Sequence, residues 1–408
     1  MICAILRSMT TDSGAPSIRE VLTAIALEGA GDTRDDIERD ALSDPNLPAL
    51  ERDIVLVIQG VRRCGKSTLM RQIAAREGIS ERAVFVNFED PRLSDRLDHT
   101  LLDDIVRTHE HRSKRNTYYF FDEIQNVKGW EKWLHVQLEQ RKRHFVVSGS
   151  NANLLGGKLG TALTGRHLTY ELFPFSFAEF RKVRPRASLE DYLQQGGFPR
   201  PLLGKRPEPL LRQYFTDIIE RDVRQHVGAR SSVALAQIAK TAFESMGSEL
   251  SLRNIAKAFG TTADTVKTYV QAFEAAYLTV SCPFFAYSER VSQVHPRKYY
   301  PIDLGLRRSV VTRSGYDLGM SLECAVLHHL RRSYRTVYYW HGKGEVDFVV
   351  QTPDGLIPIQ ISVGDEKTRH IAAVEEFARV HRGALAPKFI DMARAEKLLS
   401  GRKSLEEL

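Results

Sequence analysis

The stretch Ile54-Val55-Leu56-Val57-Ile58-Gln59-Gly60-Val61-Arg62-Arg63-Cys64-Gly65-Lys66-Ser67-Thr68 decides the fold. Its first five residues are an unbroken apolar run rich in β-branched side chains, which predicts a strand buried on both faces and hence a parallel sheet. That strand leads straight into Gly-x-x-x-x-Gly-Lys-Ser. In this pattern the glycines let backbone N–H groups converge on phosphate oxygens with no Cβ in the way, and the helix that follows adds the positive end of its dipole. Gly60 and Gly65 take the glycine places, Arg63 and Thr68 complete the cradle, Lys66 reaches the outer phosphates and Ser67 is placed to ligate Mg²⁺. The ligands implied are ATP and Mg²⁺. Cys64 has two readings: a small neutral filler, or a thiolate stabilised by the helix terminus and the flanking basic residues.

Outward from the loop, a helix is predicted over 67–77, then strands over 83–88, 118–121 and 144–147 with helices over 101–109 and 130–141 between them. Such alternation belongs to an α/β fold, a parallel sheet covered on both sides. The strand at 118–121 ends in Asp122-Glu123. Asp122 is suited to holding Mg²⁺ through water, and Glu123 to orienting or deprotonating an attacking water. The strand at 144–147 ends in Ser148-Gly149-Ser150-Asn151, where Ser150 or Asn151 can sense the outer phosphate. Gly165-Arg166 offers a cation to the transition state, in cis or from a neighbouring subunit of a homo-oligomer. The catalytic set expected is Lys66, Glu123, Ser150 and Arg166.

Residues 1–50 read as a helical appendage: helical spacing over 18–27, then a stretch rich in Asp, Gly and Pro, with no functional signal. A first domain is expected over 51–185, its boundary inside the irregular stretch 174–214 that Gly196, Gly197, Pro199, Pro201, Pro207 and Pro209 mark as a connecting region. Helices are expected over 212–227 and 232–246. Residues 252–259, Gly260-Thr261-Thr262 and residues 263–274 then have the spacing of a helix-turn-helix, with Ile255, Ala256, Val266, Tyr269 and Val270 inward. Of its outward residues, Thr262, Thr265 and Lys267 are candidate contacts to double-stranded DNA.

Strands return over 336–340, 345–351 and 356–361. Glu323 on a helix, Asp347 on a strand and Gln360 closing another follow the order of a metal-dependent nuclease. A working site of that kind needs carboxylates for Mg²⁺ and a lysine near the attacking water, whereas Gln360 and Ser362 stand where Glu and Lys are wanted. The centre therefore reads as degenerate, with His341, Lys343 and Lys367 as the cations that could substitute.

At 408 residues the chain is long enough for two or three domains, and its 42% hydrophobic and 27% charged residues are those of a globular protein. The excess of 58 Lys and Arg over 51 Asp and Glu, +7, suits phosphate-rich partners without demanding them. Four scattered cysteines form neither a metal motif nor a disulfide framework, which fits a reducing, cytoplasmic setting. Residues 1–9 lack the basic front and apolar length of a secretory leader, and no run of eighteen apolar residues spans a membrane.

Taken together, the loop from Gly60 to Thr68, Asp122-Glu123-Ile124-Gln125, Ser148-Gly149-Ser150, Gly165-Arg166, Leu172-Phe173-Pro174-Phe175-Ser176 with Glu179-Phe180, and Gly196-Gly197-Phe198-Pro199 resemble the signatures of one family. Tyr299-Tyr300 with Asp303-Leu304-Gly305-Leu306, Leu322-Glu323, and Tyr339-Trp340 with Glu345-Val346-Asp347-Phe348 extend the resemblance to about residue 365. The family is that of bacterial and archaeal ATP-binding proteins joining an AAA-type ATPase domain to a DUF4143 domain. The resemblance implies a P-loop NTPase core of AAA type over 51–185, a helical linker and winged helix over 186–290, and a restriction-endonuclease-like α/β domain over 291–408. The function expected is an ATPase whose nucleotide state controls DNA-interacting modules. A nucleotide-gated switch with little turnover, or an active Mg²⁺ nuclease, are the other two readings.

Overall fold

The computed structural model describes residues 16–29, 36–112, 117–155, 163–229, 231–312, 317–364 and 368–408. Cys3, residues 1–9 and Lys367 lie outside them. Helix α1 (Ile18–Glu28) opens on a capping box, the Ser17 and Glu20 side chains each accepting from the other's backbone N–H. Strand β1 (Val55–Gln59) is buried at every position. Helix α2 (Lys66–Arg76), β2 (Ala83–Asn87), α3 (His99–Arg112), β3 (Tyr118–Asp122), α4 (Trp130–Gln140), β4 (His144–Gly149) and β5 (His167–Glu171) complete the first α/β unit.

The sheet is five-stranded, in the order β2-β3-β4-β1-β5, and every pairing in it is parallel. Successive side chains of β1 face opposite sides of the sheet. Val55 and Val57 join a core with Val84, Val86, Tyr119, Phe121 and Val147, while Leu56 and Ile58 join another with Phe120, Val146, Leu69 and Ile73. The second core runs on without a break into the rest of the molecule. β5 has no apolar run to announce it: His167 to Glu171 lie at the sheet edge, and none of them is buried.

Helices α5 (Phe177–Val183), α6 (Leu189–Gln195), α7 (Pro199–Leu203) and α8 (Pro207–Asp217) follow, and α8 passes through a π-helical segment (Ile218–Val223) into α9 (Arg224–Val227). After α10 (Ser232–Glu244), α11 (Leu252–Ala258) and α12 (Ala263–Ala275) form the expected helix pair, and their Ile255, Ala256, Val266 and Val270 are buried. An antiparallel ribbon comes next, β6 (Thr279–Cys282) against β7 (Lys298–Pro301), with α13 (Glu289–Val294) between its strands. Helices α14 (Leu304–Val310) and α15 (Leu318–Ser333) lead to a second sheet of β8 (Tyr338–His341), β9 (Glu345–Thr352), β10 (Gly355–Ile361) and β11 (Lys388–Ile390). Its order is β11-β10-β9-β8. Helices α16 (Thr368–Val380) and α17 (Met392–Leu399) accompany it.

Two of the sequence signatures, 106 residues apart, meet between α6 and α14. Asp303 caps α14 by accepting from Leu306 N at 2.7 Å and accepts from Gly197 N at 2.5 Å. A Cβ on Gly196 would stand 2.3 Å from the Asp303 carboxylate, and one on Gly305 2.0 Å from the Gln195 carbonyl, so both positions need glycine. Burial pushes the Asp303 carboxyl up to about 6, although the N–H donors pull the other way. A carboxyl whose native pKa is raised holds its proton more tightly folded than unfolded. Its contribution to stability is therefore complete below about pH 4 and is lost as pH rises through 6. The advantage of the wild type over Asp303→Asn in urea unfolding is expected to be about 1.4 kcal/mol larger at pH 5 than at pH 8. A gap that does not change with pH would contradict it.

Candidate active site

The glycine loop joins the carboxyl end of β1 to the start of α2, at the point where strand order reverses between β4 and β5, the usual place for a ligand in an open parallel sheet. Both glycines are sterically required. A Cβ on Gly60 would meet the Leu172 carbonyl oxygen at 2.2 Å, and Gly65, at φ 102°, would set one 2.9 Å from the Arg39 guanidinium. Lys66 is buried, its Nζ 3.1 Å from Gly60 O and 3.4 Å from Glu123 Oε1. Burial opposes the lysine charge, but Glu123, Cys64 and Asp122 outweigh it and raise the ammonium's pKa. Ser67 Oγ donates to Asp122 Oδ2 at 2.5 Å, and Ser148 donates to the other carboxylate oxygen. Burial and neighbouring Glu123 raise Asp122. Burial works the same way on Glu123, yet Lys66 and Gln125 hold it below the usual carboxylate range.

Glu123 sits at φ 54°, a left-handed conformation that is rare and costly for a side chain of this kind and that clusters at functional sites. It turns the carboxylate back from the end of β3 to Lys66 and to Gln125, whose Nε2 donates to it at 2.5 Å. Ser150 is buried, and its hydroxyl donates to Asp222 Oδ1 at 3.1 Å.

The loop's remaining positions divide. Thr68 is half-buried, its hydroxyl accepting from Arg71. Arg63 turns its side chain away, over the Tyr214 ring at 5.6 Å, leaving only its backbone to the cradle. Cys64 is wholly buried, and burial pushes its thiol up despite Lys66 and Arg39, so the thiolate reading is overturned in favour of the apolar filler. Arg166 is not brought to this site. It precedes His167, which pairs with Val55 at the opposite end of β1 from Gly60, a strand length of roughly 15 Å away. There its guanidinium lies 3.5 Å from Glu139. Of the two placements expected for Arg166, the one in cis fails on this geometry.

The appendage at 1–50 is not idle. Arg39, 1% exposed, donates from its Nε to Glu179 at 2.7 Å, from one terminal nitrogen to Cys64 O at 2.7 Å and from the other to Phe173 O at 2.8 Å. It thus braces the phosphate loop from behind. A single arginine in an Asp- and Gly-rich stretch gives no sequence pattern by which it could have been found. Arg62 and Asp222, an ion pair at 3.1 Å spanning 160 residues, were equally invisible.

Two further sets of expected residues are placed elsewhere. On the helix pair, Thr262 and Lys267 are exposed and Thr265 half-buried. Thr262 caps α12, accepting from Thr265 N, and the two hydroxyls are 2.9 Å apart. In the second sheet Asp347 Oδ2 accepts from Gln360 Nε2 and Ile361 N, both at 2.7 Å, and Glu323 accepts from Tyr300 at 2.5 Å. Lys298 of β7, 1% exposed, bonds Glu345. Its ammonium acts on Glu323 and Asp347 as well. Lys298 thus places a lysine charge among these carboxylates from β7 and not from position 362, while no group of three or more His, Cys, Asp or Glu side chains that could hold a metal ion occurs among the described residues. Of the cations expected to substitute, His341 lies 3.2 Å from Glu249, and the backbone N–H of Lys343 donates to Glu376.

A glycine loop, a buried lysine and a strand-end carboxylate pair at the switch point of a parallel sheet define a P-loop domain. Residues 52–181 match the model of an AAA domain, residues 186–317 a domain of unknown function, DUF8612, and residues 318–399 another, DUF4143. The chain thus joins an AAA-type P-loop domain to a DUF4143 domain, the combination expected from its sequence. It is 28% identical to an uncharacterized protein of Haemophilus influenzae over 78% of this chain and 85% of that one. With an uncharacterized protein of Methanocaldococcus jannaschii the identity is 29%, over 72% of each. Among solved structures it is similar to AMPPCP-bound DnaA from Aquifex aeolicus, at 13% identity over 62% of this chain and 86% of that one, a distant likeness with a TM-score of 0.28. No helix among the described residues is long and apolar enough to cross a membrane.

Proposed function

We propose that the chain is a Mg²⁺-dependent ATPase whose nucleotide state controls attached DNA-interacting modules. The observation that carries this is the convergence of Lys66, Glu123, Ser67 and Asp122 at the mouth of the glycine loop. Lys66 and the loop N–H groups would hold the outer phosphates. Ser67 and Asp122 present the hydroxyl and carboxylate oxygens that Mg²⁺ prefers, and bound there it would neutralise charge on the phosphates. Glu123, drawn off Lys66 as phosphate takes over the ammonium, would orient the water and take its proton, and Ser150 would report the outer phosphate. Arg166 would serve the site of a neighbouring copy.

The winged-helix reading is supported by the β6–β7 ribbon directly after α11 and α12. Thr268 and Gln271 of α12 line a cleft of about 1000 Å³ with Arg297, Arg331 and Arg335, the first two paired with Glu274 and Glu171 of the same cleft, and the phosphates of duplex DNA would have to take these arginines over. The nuclease-like reading of the second sheet is supported by the approach of Asp347 and Gln360 with the Lys298 charge beside them, while the Gln360 amide in place of a carboxylate favours an inactive centre. ATP turnover is expected to rise several-fold with duplex DNA at low salt and to lose that rise at high salt. Absence of turnover under every condition would overturn the ATPase reading. One observation favours a switch with little turnover instead: the Lys66–Glu123 pair keeps the carboxylate from a water. Tight ATP binding without product would select it.

A further inference from the structure

Asp222 belongs to the π-helical segment, outside the AAA match, yet its carboxylate lies in the phosphate site. It accepts from Arg62 of the glycine loop through two nitrogens at 3.1 and 3.2 Å, and from the Ser150 hydroxyl at 3.1 Å. Both members of the ion pair are nearly closed to solvent, 11% and 7% exposed. The Arg62 charge also acts on Glu123, so the five side chains Lys66, Glu123, Arg62, Asp222 and Ser150 share one electrostatic neighbourhood. Arg62 has a second partner, Glu89 at 2.6 Å, on the outer side.

Resting on the reading of the loop as an ATP site, we propose that Asp222 is a gate that the outer phosphate displaces. A carboxylate bonded to the residue placed to sense that phosphate is a like charge in its way, and the two cannot both keep Ser150 and Arg62. The phosphate brings more charge and more acceptor oxygens, so Arg62 and Ser150 pass from Asp222 to it. ADP lacks the phosphate that would compete, and leaves Asp222 where it is. Release of Asp222 frees the π-helical segment, an irregular turn of the kind found where helices move for function. That segment packs against α10 and α12, so the change reaches the helix-turn-helix directly. Ile218, Ile219 and Val223 on one side and Val266 and Val270 on the other are all buried in the same core.

The test uses the full chain with ATP, ADP and a non-hydrolysable ATP analogue. Asp222→Asn keeps the shape and removes the charge. It is expected to bind the analogue about five- to tenfold more tightly than wild type while ADP affinity changes less than about twofold. A positioning role for Asp222 gives the opposite sign, and weaker analogue binding by the variant overturns the proposal. In the wild-type chain, which needs no variant to fold, the analogue but not ADP is expected to raise amide hydrogen exchange across residues 218–227. If the analogue binds and exchange there does not change, the gate fails while the ATP site stands. If neither nucleotide binds, the ATP site itself fails and the gate with it.

Discussion

Glu123→Gln is expected to bind ATP as tightly as the wild type, or more tightly, while its turnover falls by about 10²–10⁴-fold. The amide keeps the size of the side chain and its contact with Gln125, but it cannot take a proton from water. It also removes the negative partner of Lys66, now 3.4 Å away. In the resting chain that pair has to open before the ammonium can serve phosphate. Removing the carboxylate eliminates that competition, which is why affinity does not fall with rate. Lys66→Ala separates the two effects: it removes the cation that phosphate needs and leaves Glu123 buried and unpaired, so binding is lost together with turnover. Measured side by side, nucleotide affinity and the rate of a single turnover distinguish the roles. Equal losses of affinity in both variants would remove Glu123 from the chemistry.

The phosphate site was legible in the sequence where one short segment had to satisfy several demands at once. Gly60, Gly65, Lys66 and Ser67 are consecutive or nearly so, and few other residue types fit their places: only glycine at 60 and 65, a lysine at 66, and Ser or Thr at 67. Asp122 and Glu123 follow an apolar strand whose end had to lie beside the loop. Strands β1, β3 and β4 announced themselves because both their faces are buried, and β2, an edge strand half-buried on one face, because its run Ala83 to Val86 is apolar, whereas β5 at the other edge has no such run. Arg166 was misplaced for a related reason: a motif names a residue, but only strand register says at which end of the sheet it lies. Lys298 shows the limit more sharply. Sequence order led to Gln360 and Ser362 as replacements for Glu and Lys, yet the cation in that centre comes from β7, an element with no place in the linear pattern. Asp222 and Arg39 likewise act across 160 and 140 residues, through contacts that periodicity does not encode.

Arg39→Met is expected to cost about 3–5 kcal/mol of stability, more than any other single change to the loop's surroundings. Methionine fills most of the arginine's volume, so the loss is not one of packing. It comes from Glu179, 1% exposed in its side chain, which loses its counter-charge. Burial penalises that carboxylate, and the Arg39 charge, above all, nonetheless holds its pKa below the ordinary value. Glu179 keeps the N–H groups of Ser176 and Asp40, each at 2.8 Å, and the field of Arg332, but no cation that forms an ion pair with it. The carbonyl oxygens of Cys64 and Phe173 lose a donor at the same time. Pairing the change with Glu179→Gln is expected to recover part of the loss, because the double variant buries no unpaired charge; simple addition of two independent defects predicts the reverse. The Cys64 bond gives the change a second consequence. Gly65 and Lys66 follow Cys64 directly, so a loop no longer held from behind binds ATP more weakly even in chains that remain folded. Urea unfolding of the single and double variants, with nucleotide titration of the folded fraction, tests both. A loss under about 1 kcal/mol would mean that Glu179 takes up a proton or reaches water once Arg39 is gone, and that the loop holds its shape without this brace.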